Sequence, residues 1–217
     1  NTAGGTNNVA VGNYALDALT SGDNNIALGH LALSANTTGG QNVAVGANAL
    51  DANTTGGNLT AIGYHSLSAN TTANGNTAVG IYSLYANTTG ASNTAVGRSV
   101  LEANVTGTQN VGVGYNSMLV NTGSYNTSIG YESLKANVGG ANNVAVGVNA
   151  LLANTSGGSN VAMGANAAGT NTTGTRITAL GYQAYALSDT ENDNLAIGYQ
   201  AMNTNTAGGQ YNVALGN

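Results

Sequence analysis

One pattern of apolar and polar positions recurs along the whole chain. A β-branched residue or Leu is followed by Ala, an apolar residue and Gly, as in Val9-Ala10-Val11-Gly12, Val43-Ala44-Val45-Gly46 and Thr94-Ala95-Val96-Gly97. The closing glycines are Gly12, Gly29, Gly46, Gly63, Gly80, Gly97, Gly114, Gly130, Gly147, Gly164, Gly181, Gly198 and Gly216. They lie 17 residues apart, except for 16 before Gly130 and 18 before Gly216. Alternation with β-branched flanks predicts a short strand before each Gly. Asn stands four before Gly in most repeats, with Leu59 and Ile177 as exceptions, and Leu stands four after it in most. Next comes Ala-Asn-Thr-Thr-Gly, for example over residues 35–39. Asn and Gly tolerate positive φ, so this run predicts a corner. One repeat therefore reads as a strand, a Gly corner, a short extended or turn-like segment carrying Leu, and an Asn-Thr-Thr-Gly corner.

A unit this short cannot bury enough side chain to fold alone, so its neighbours must complete it. The expected architecture is all-β: a β-solenoid, or parallel β-roll, of about thirteen 17-residue coils stacked ~4.8 Å apart. No linker or second domain interrupts residues 1–217. Residues 1–5 recur as residues 205–209, which reads as an array cut from a longer one. The strand has two faces, β-branched and Ala/Asn. The constancy of Ala suggests close approach by another chain, which places the Ala strip at a chain–chain contact. The alternative puts Ala in a cramped interior and turns the β-branched face outward onto a partner. Either arrangement predicts self-association.

Composition sharpens this picture. Gly, Asn and Thr number 33, 35 and 27, so they make up 95 of 217 residues. Charged residues are 5% of the chain, against roughly 25% in ordinary globular proteins. All of them fall outside the strand and Leu columns. The absence of Cys excludes disulfide scaffolds and thiolate metal sites, and the absence of Pro excludes collagen. A net charge of -5 with three Lys and Arg argues against nucleic acid. No run of about 20 apolar residues suggests membrane insertion by this segment, and no signal peptide is legible. Two His and eight carboxylates without ligand or triad spacing imply no metal, no cofactor and no enzyme.

Several columns invite a functional reading. The Asn column four before Gly could form an amide ladder or recognise carbohydrate. The Thr column at Thr37, Thr54, Thr71, Thr88 and Thr172 fits turn chemistry, with an ice-binding hydroxyl array as the alternative. Asn36, Asn53, Asn70, Asn87, Asn104, Asn154 and Asn171 each open an Asn-x-Ser/Thr sequon and are possible glycosylation sites, or simply turn residues. Tyr64, Tyr115, Tyr131, Tyr182 and Tyr199 directly follow the strand Gly and are the candidate surface-binding residues, with packing at the coil corner as the alternative. Asp189, Glu191 and Asp193 form an acidic run that reads as a solvated loop, or as a weak calcium site.

The phrase Asn-x-Ala-Val-Gly, then Leu, then Ala-Asn-Thr-Thr-Gly, carried best by residues 93–107 and 143–158, resembles the head repeats of trimeric autotransporter adhesins. It is equally similar to the repetitive regions of bacteriophage tail fibres. The resemblance implies a left-handed parallel β-roll with three chains side by side, displayed outside the cell or on a virion. It implies either binding to host-surface glycans or proteins, or a spacer role. The expected function is an extracellular structural and adhesive fibre segment. The alternative is an extracellular filament subunit that stacks end to end.

Overall fold

A computed structural model of the chain describes residues 5–204 and 209–216. The terminal match between residues 1–5 and 205–209 lies almost wholly outside these. The chain divides into two compact units, Asn1–Gln109 and Asn110–Asn217, each described here by itself. Both are all-β parallel solenoids, and no helix occurs among the described residues. The first unit carries β1 (Val9–Val11), β2 (Ile26–Leu28), β3 (Val43–Val45), β4 (Thr60–Ile62), β5 (Thr77–Val79) and β6 (Thr94–Val96). The second carries β7 (Val111–Val113), β8 (Thr127–Ile129), β9 (Val144–Val146), β10 (Val161–Met163), β11 (Thr178–Leu180), β12 (Leu195–Ile197) and β13 (Val213–Leu215).

Within each unit successive strands pair in parallel, one repeat out of step. Val45 lies beside Ile62, and Ile62 beside Val79. In the second unit Gly112 lies beside Ser128 and Ser128 beside Ala145, so the 16-residue repeat keeps register. That repeat lacks one Thr of the corner, and Asn121 Nδ2 reaches Gly123 O two residues on rather than three. Each strand has only three residues, yet backbone bonding continues around the coil. Leu33 N donates to Ala49 O at 2.9 Å, and Thr37 N donates to Thr54 O at 2.8 Å. Coil-to-coil pairing thus satisfies main-chain groups that would otherwise be buried and unbonded.

The faces of the strand are resolved against the first expectation. Ala27, Ala44, Ala61, Ala78 and Ala95 are wholly buried inside the first unit, as are Ala145, Ala162, Ala179 and Ala196 inside the second. The Ala strip is therefore interior and is no chain–chain contact. Its constancy follows from space, because the Leu four after Gly fills the same thin interior. The flanking β-branched residues are the ones turned outward. Where Ser128 replaces Ala, its hydroxyl bonds with those of Ser117 and Ser133, so the one polar intrusion in the column is matched by polar partners.

The corners also differ from expectation. The Asn of Asn-Thr-Thr-Gly does not supply the positive φ. Left-handed backbone falls instead two and four after Gly and five before it, as at Asn48 (φ 57), Leu50 (φ 54) and Asn58 (φ 57). Left-handed Leu is unfavourable for an L-residue. Leu50 occupies that conformation wholly buried, with its N–H donated to Ser66 O at 3.1 Å. The strand-end Gly is the position that only Gly can hold. Gly46 has φ 133, and a Cβ there would stand 2.5 Å from Gly63 O in the next coil.

Candidate functional site

The seven corner asparagines singled out as sequons, Asn36 to Asn171, are wholly buried. They form the amide ladder that was expected four residues before Gly. Asn53 Nδ2 donates to Asn36 Oδ1 at 3.0 Å, and Asn70 Nδ2 to Asn53 Oδ1 at 2.9 Å. Each amide also donates to the corner carbonyl three residues on, as Asn87 does to Gly90 O at 2.9 Å. In the second unit Asn154 and Asn171 continue the same pattern. An amide nitrogen bonded twice in the interior has no room for a sugar. Glycosylation of Asn36, Asn53, Asn70, Asn87, Asn104, Asn154 and Asn171 is thus incompatible with this fold. The column four before Gly plays a different part. Asn42 Oδ1 accepts the backbone N–H of Leu59 at 3.0 Å, and Asn42 Nδ2 donates to Gly56 O at 2.9 Å. These side chains act as backbone partners inside the coil and offer nothing to a carbohydrate.

The Thr hydroxyls are likewise engaged. Thr37 Oγ1 donates to Thr54 O at 3.0 Å, Thr54 Oγ1 to Thr71 O at 3.0 Å and Thr172 Oγ1 to Asp189 O at 2.9 Å. The acidic run does not converge. Glu191 is turned inside, while Asp193 pairs with Arg176 at 2.5 Å and is held below the usual carboxylate range by that guanidinium. The solvated-loop reading thus fails for Glu191. Among the described residues no group of three or more His, Cys, Asp and Glu comes together.

The five tyrosines are exposed and fall into separate groups. In the second unit Tyr115 stacks on Tyr131 with centroids 5.4 Å apart, and Tyr182 stacks on Tyr199 at 5.4 Å. Equal columns in successive coils place these rings face to face. In the first unit Tyr64 has no tyrosine in its own column of the adjoining coils. It joins His65, Tyr82 and Tyr85 instead. His65 and Tyr82 lie nearly parallel at 5.8 Å, with 14° between their planes. Tyr64 stands almost perpendicular to both, at 4.3 and 5.7 Å, and Tyr85 almost perpendicular to both, at 5.8 and 5.6 Å. This four-ring group was missed from sequence. Stacking the repeats by their glycines brings positions one, two and five after Gly to one corner, and that alignment was enough to find it.

Polar groups border these rings. His65 Nδ1 lies 3.4 Å from Ser68 Oγ, which donates to Asp51 Oδ1 at 2.5 Å. The serine proton is given to the carboxylate and not to the imidazole. That order is the reverse of a nucleophile activated by a histidine base. The second unit also has an open apolar recess of about 440 Å³ lined by Leu119, Val120, Ala136 and Leu152. Glu132 and Lys135 pair at its rim at 2.8 Å, and the ammonium lowers the titration of Glu132. No polar groups converge within the recess.

Compared with known proteins, the chain matches no family model, no curated protein and no solved structure. No helix among the described residues is long and apolar enough to cross a membrane.

Proposed function

We propose that the chain is a segment of an extracellular fibre, structural and adhesive in role, in which copies associate side by side. The proposal includes host-surface glycans or proteins as partners and no catalytic step. The observation that carries it is the outward column of each sheet. Val11, Leu28, Ile62 and Val96 stand exposed in the first unit, and Ile129, Met163, Ile197 and Leu215 in the second. Ile62 is 40% exposed although it sits mid-sheet between paired strands. A repeated apolar stripe on a sheet with few charges favours burial against a like surface. A flat stripe repeated at every coil matches a second copy of itself better than it matches a small ligand. The trimer implied by the adhesin resemblance is the favoured chain number.

Sedimentation of the purified chain, with imaging, tests this reading. Expected are finite assemblies of three chains, reduced to single chains when Ile62 and Ile129 are both replaced by Lys. A wild-type protein that sediments as a monomer at micromolar concentration would overturn the side-by-side assembly. Unlimited filaments would point to end-to-end stacking instead.

A further inference from the structure

We propose that the ring group Tyr64, His65, Tyr82 and Tyr85 is a binding platform for neutral carbohydrate. This inference rests on the adhesive reading and gives it a place and a ligand class. Three observations lead to it.

The fold does not require these rings. The positions one, two and five after Gly hold Ala47, Asn48 and Asp51 one coil earlier and Arg98, Ser99 and Glu102 one coil later. The backbone at the second position is the same in all four coils, with φ 57 at Asn48, 51 at His65, 56 at Tyr82 and 54 at Ser99. Asn accepts that left-handed conformation more readily than Tyr does. Tyr82 is therefore held where the backbone favours other types, and the rings of the group remain part-exposed, with Tyr64 at 47%.

The geometry then selects among ligands. A cage for a quaternary ammonium needs rings spaced around a void. Here the rings fill the space between themselves, with centroids 4.3 to 5.8 Å apart. What remains is their outward surface. Pyranose rings lay C–H groups on such faces, while their hydroxyls seek acceptors and donors at the edge. The edge supplies them: the phenol hydroxyls of the tyrosines, and the part-exposed Asp51 carboxylate two hydrogen bonds from the His65 ring. Neutrality of the ligand follows from charge. The same corner carries Asp51 one coil before the group and Arg98 with Glu102 one coil after it, a net negative border that disfavours an acidic sugar.

Proton NMR of the full chain reads this directly, because only His30 and His65 carry imidazoles. Titration with neutral oligosaccharides should move the His65 ring signals and leave those of His30 in place. The Tyr64→Ser, Tyr82→Ser, Tyr85→Ser variant should lose at least tenfold in affinity, and Tyr85→Ser alone should lose several-fold. A Tyr125→Ser variant, at an exposed tyrosine outside the group, should bind as the wild type does. Wild-type circular dichroism in each variant shows that the coil is intact, and the single variant keeps the test open should the triple one misfold. Carbohydrate binding that survives in the triple variant overturns this site while the adhesive reading stands. Saturating sugar that leaves His65 unmoved overturns the inference itself. The fibre reading is judged separately, by chain number.

Discussion

Asparagine usually belongs to surfaces and turns, where water satisfies its amide. Here it is the polar core. Asn70 gives its amide protons to Asn53 Oδ1 at 2.9 Å and Ala73 O at 3.2 Å, and its own oxygen accepts from Asn87 at 3.2 Å. Removing it orphans Asn53 Oδ1 and Ala73 O and takes one of two acceptors from Asn87, and each orphaned group costs about 1–3 kcal/mol. Asn70→Ala is expected to destabilise the chain by about 3 kcal/mol in denaturant unfolding. Thr72→Ala, two residues away and exposed, should change it by less than about 0.5 kcal/mol. The converse can be built. Asn171 Oδ1 is buried without a partner, and the next coil carries Ser188 where most coils carry Asn. Ser188→Asn should extend the ladder and raise stability by about 1 kcal/mol. An unchanged or lowered midpoint would show that the corner around Ser188 cannot take the longer side chain.

At the scale of the coil, most of the design was legible because a column of text becomes a column in space. The strands, their register and the Leu column follow from the glycine spacing alone. Three things did not. Alternation separates Ala from Val but does not say which face is inside; the width of the coil decides that, and only a small residue fits opposite Leu. The left-handed backbone at Leu50 and Leu67 is invisible to residue preference, because its strain is offset only by burial that packing reveals. The sequon asparagines read as turn residues from their neighbours, and their burial depends on the coil above. The four-ring group was hidden for the same reason, since Tyr64 meets Tyr82 through stacking and not through sequence proximity. These points imply that the coil is the unit of exchange. Removing residues 30–46 joins Gly29 to Ala47 and leaves every column in register, so circular dichroism should keep its wild-type form with a slightly lower melting temperature. Removing residues 30–37 takes out Leu33 and Asn36 and leaves a coil too short to close on its neighbours, and that chain should fail to fold cooperatively.

For the whole molecule, electrostatics contributes little to stability, and the little it contributes has a definite sign. Eleven charges are spread over 217 residues. The displaced carboxyl groups are Asp23, bonded to the backbone N–H of Thr6, Glu132 beside Lys135, and Asp193 beside Arg176. All three titrate below their ordinary values. A carboxyl group whose folded titration is lowered adds stability above its unfolded pKa, and that stability is lost as pH falls through the folded value. The loss is confined to the acid side, below about pH 4. It is also small, because these pairs sit at the surface, where solvent screens them. Melting temperature should therefore be nearly flat from about pH 5 to about pH 9 and hardly respond to salt, with a modest decline in stronger acid. Asp193→Asn should shrink that decline, since it removes one of the three proton-linked groups. A steep fall beginning near neutrality, or a strong salt dependence, would mean that charged groups govern folding in place of the uncharged ladders.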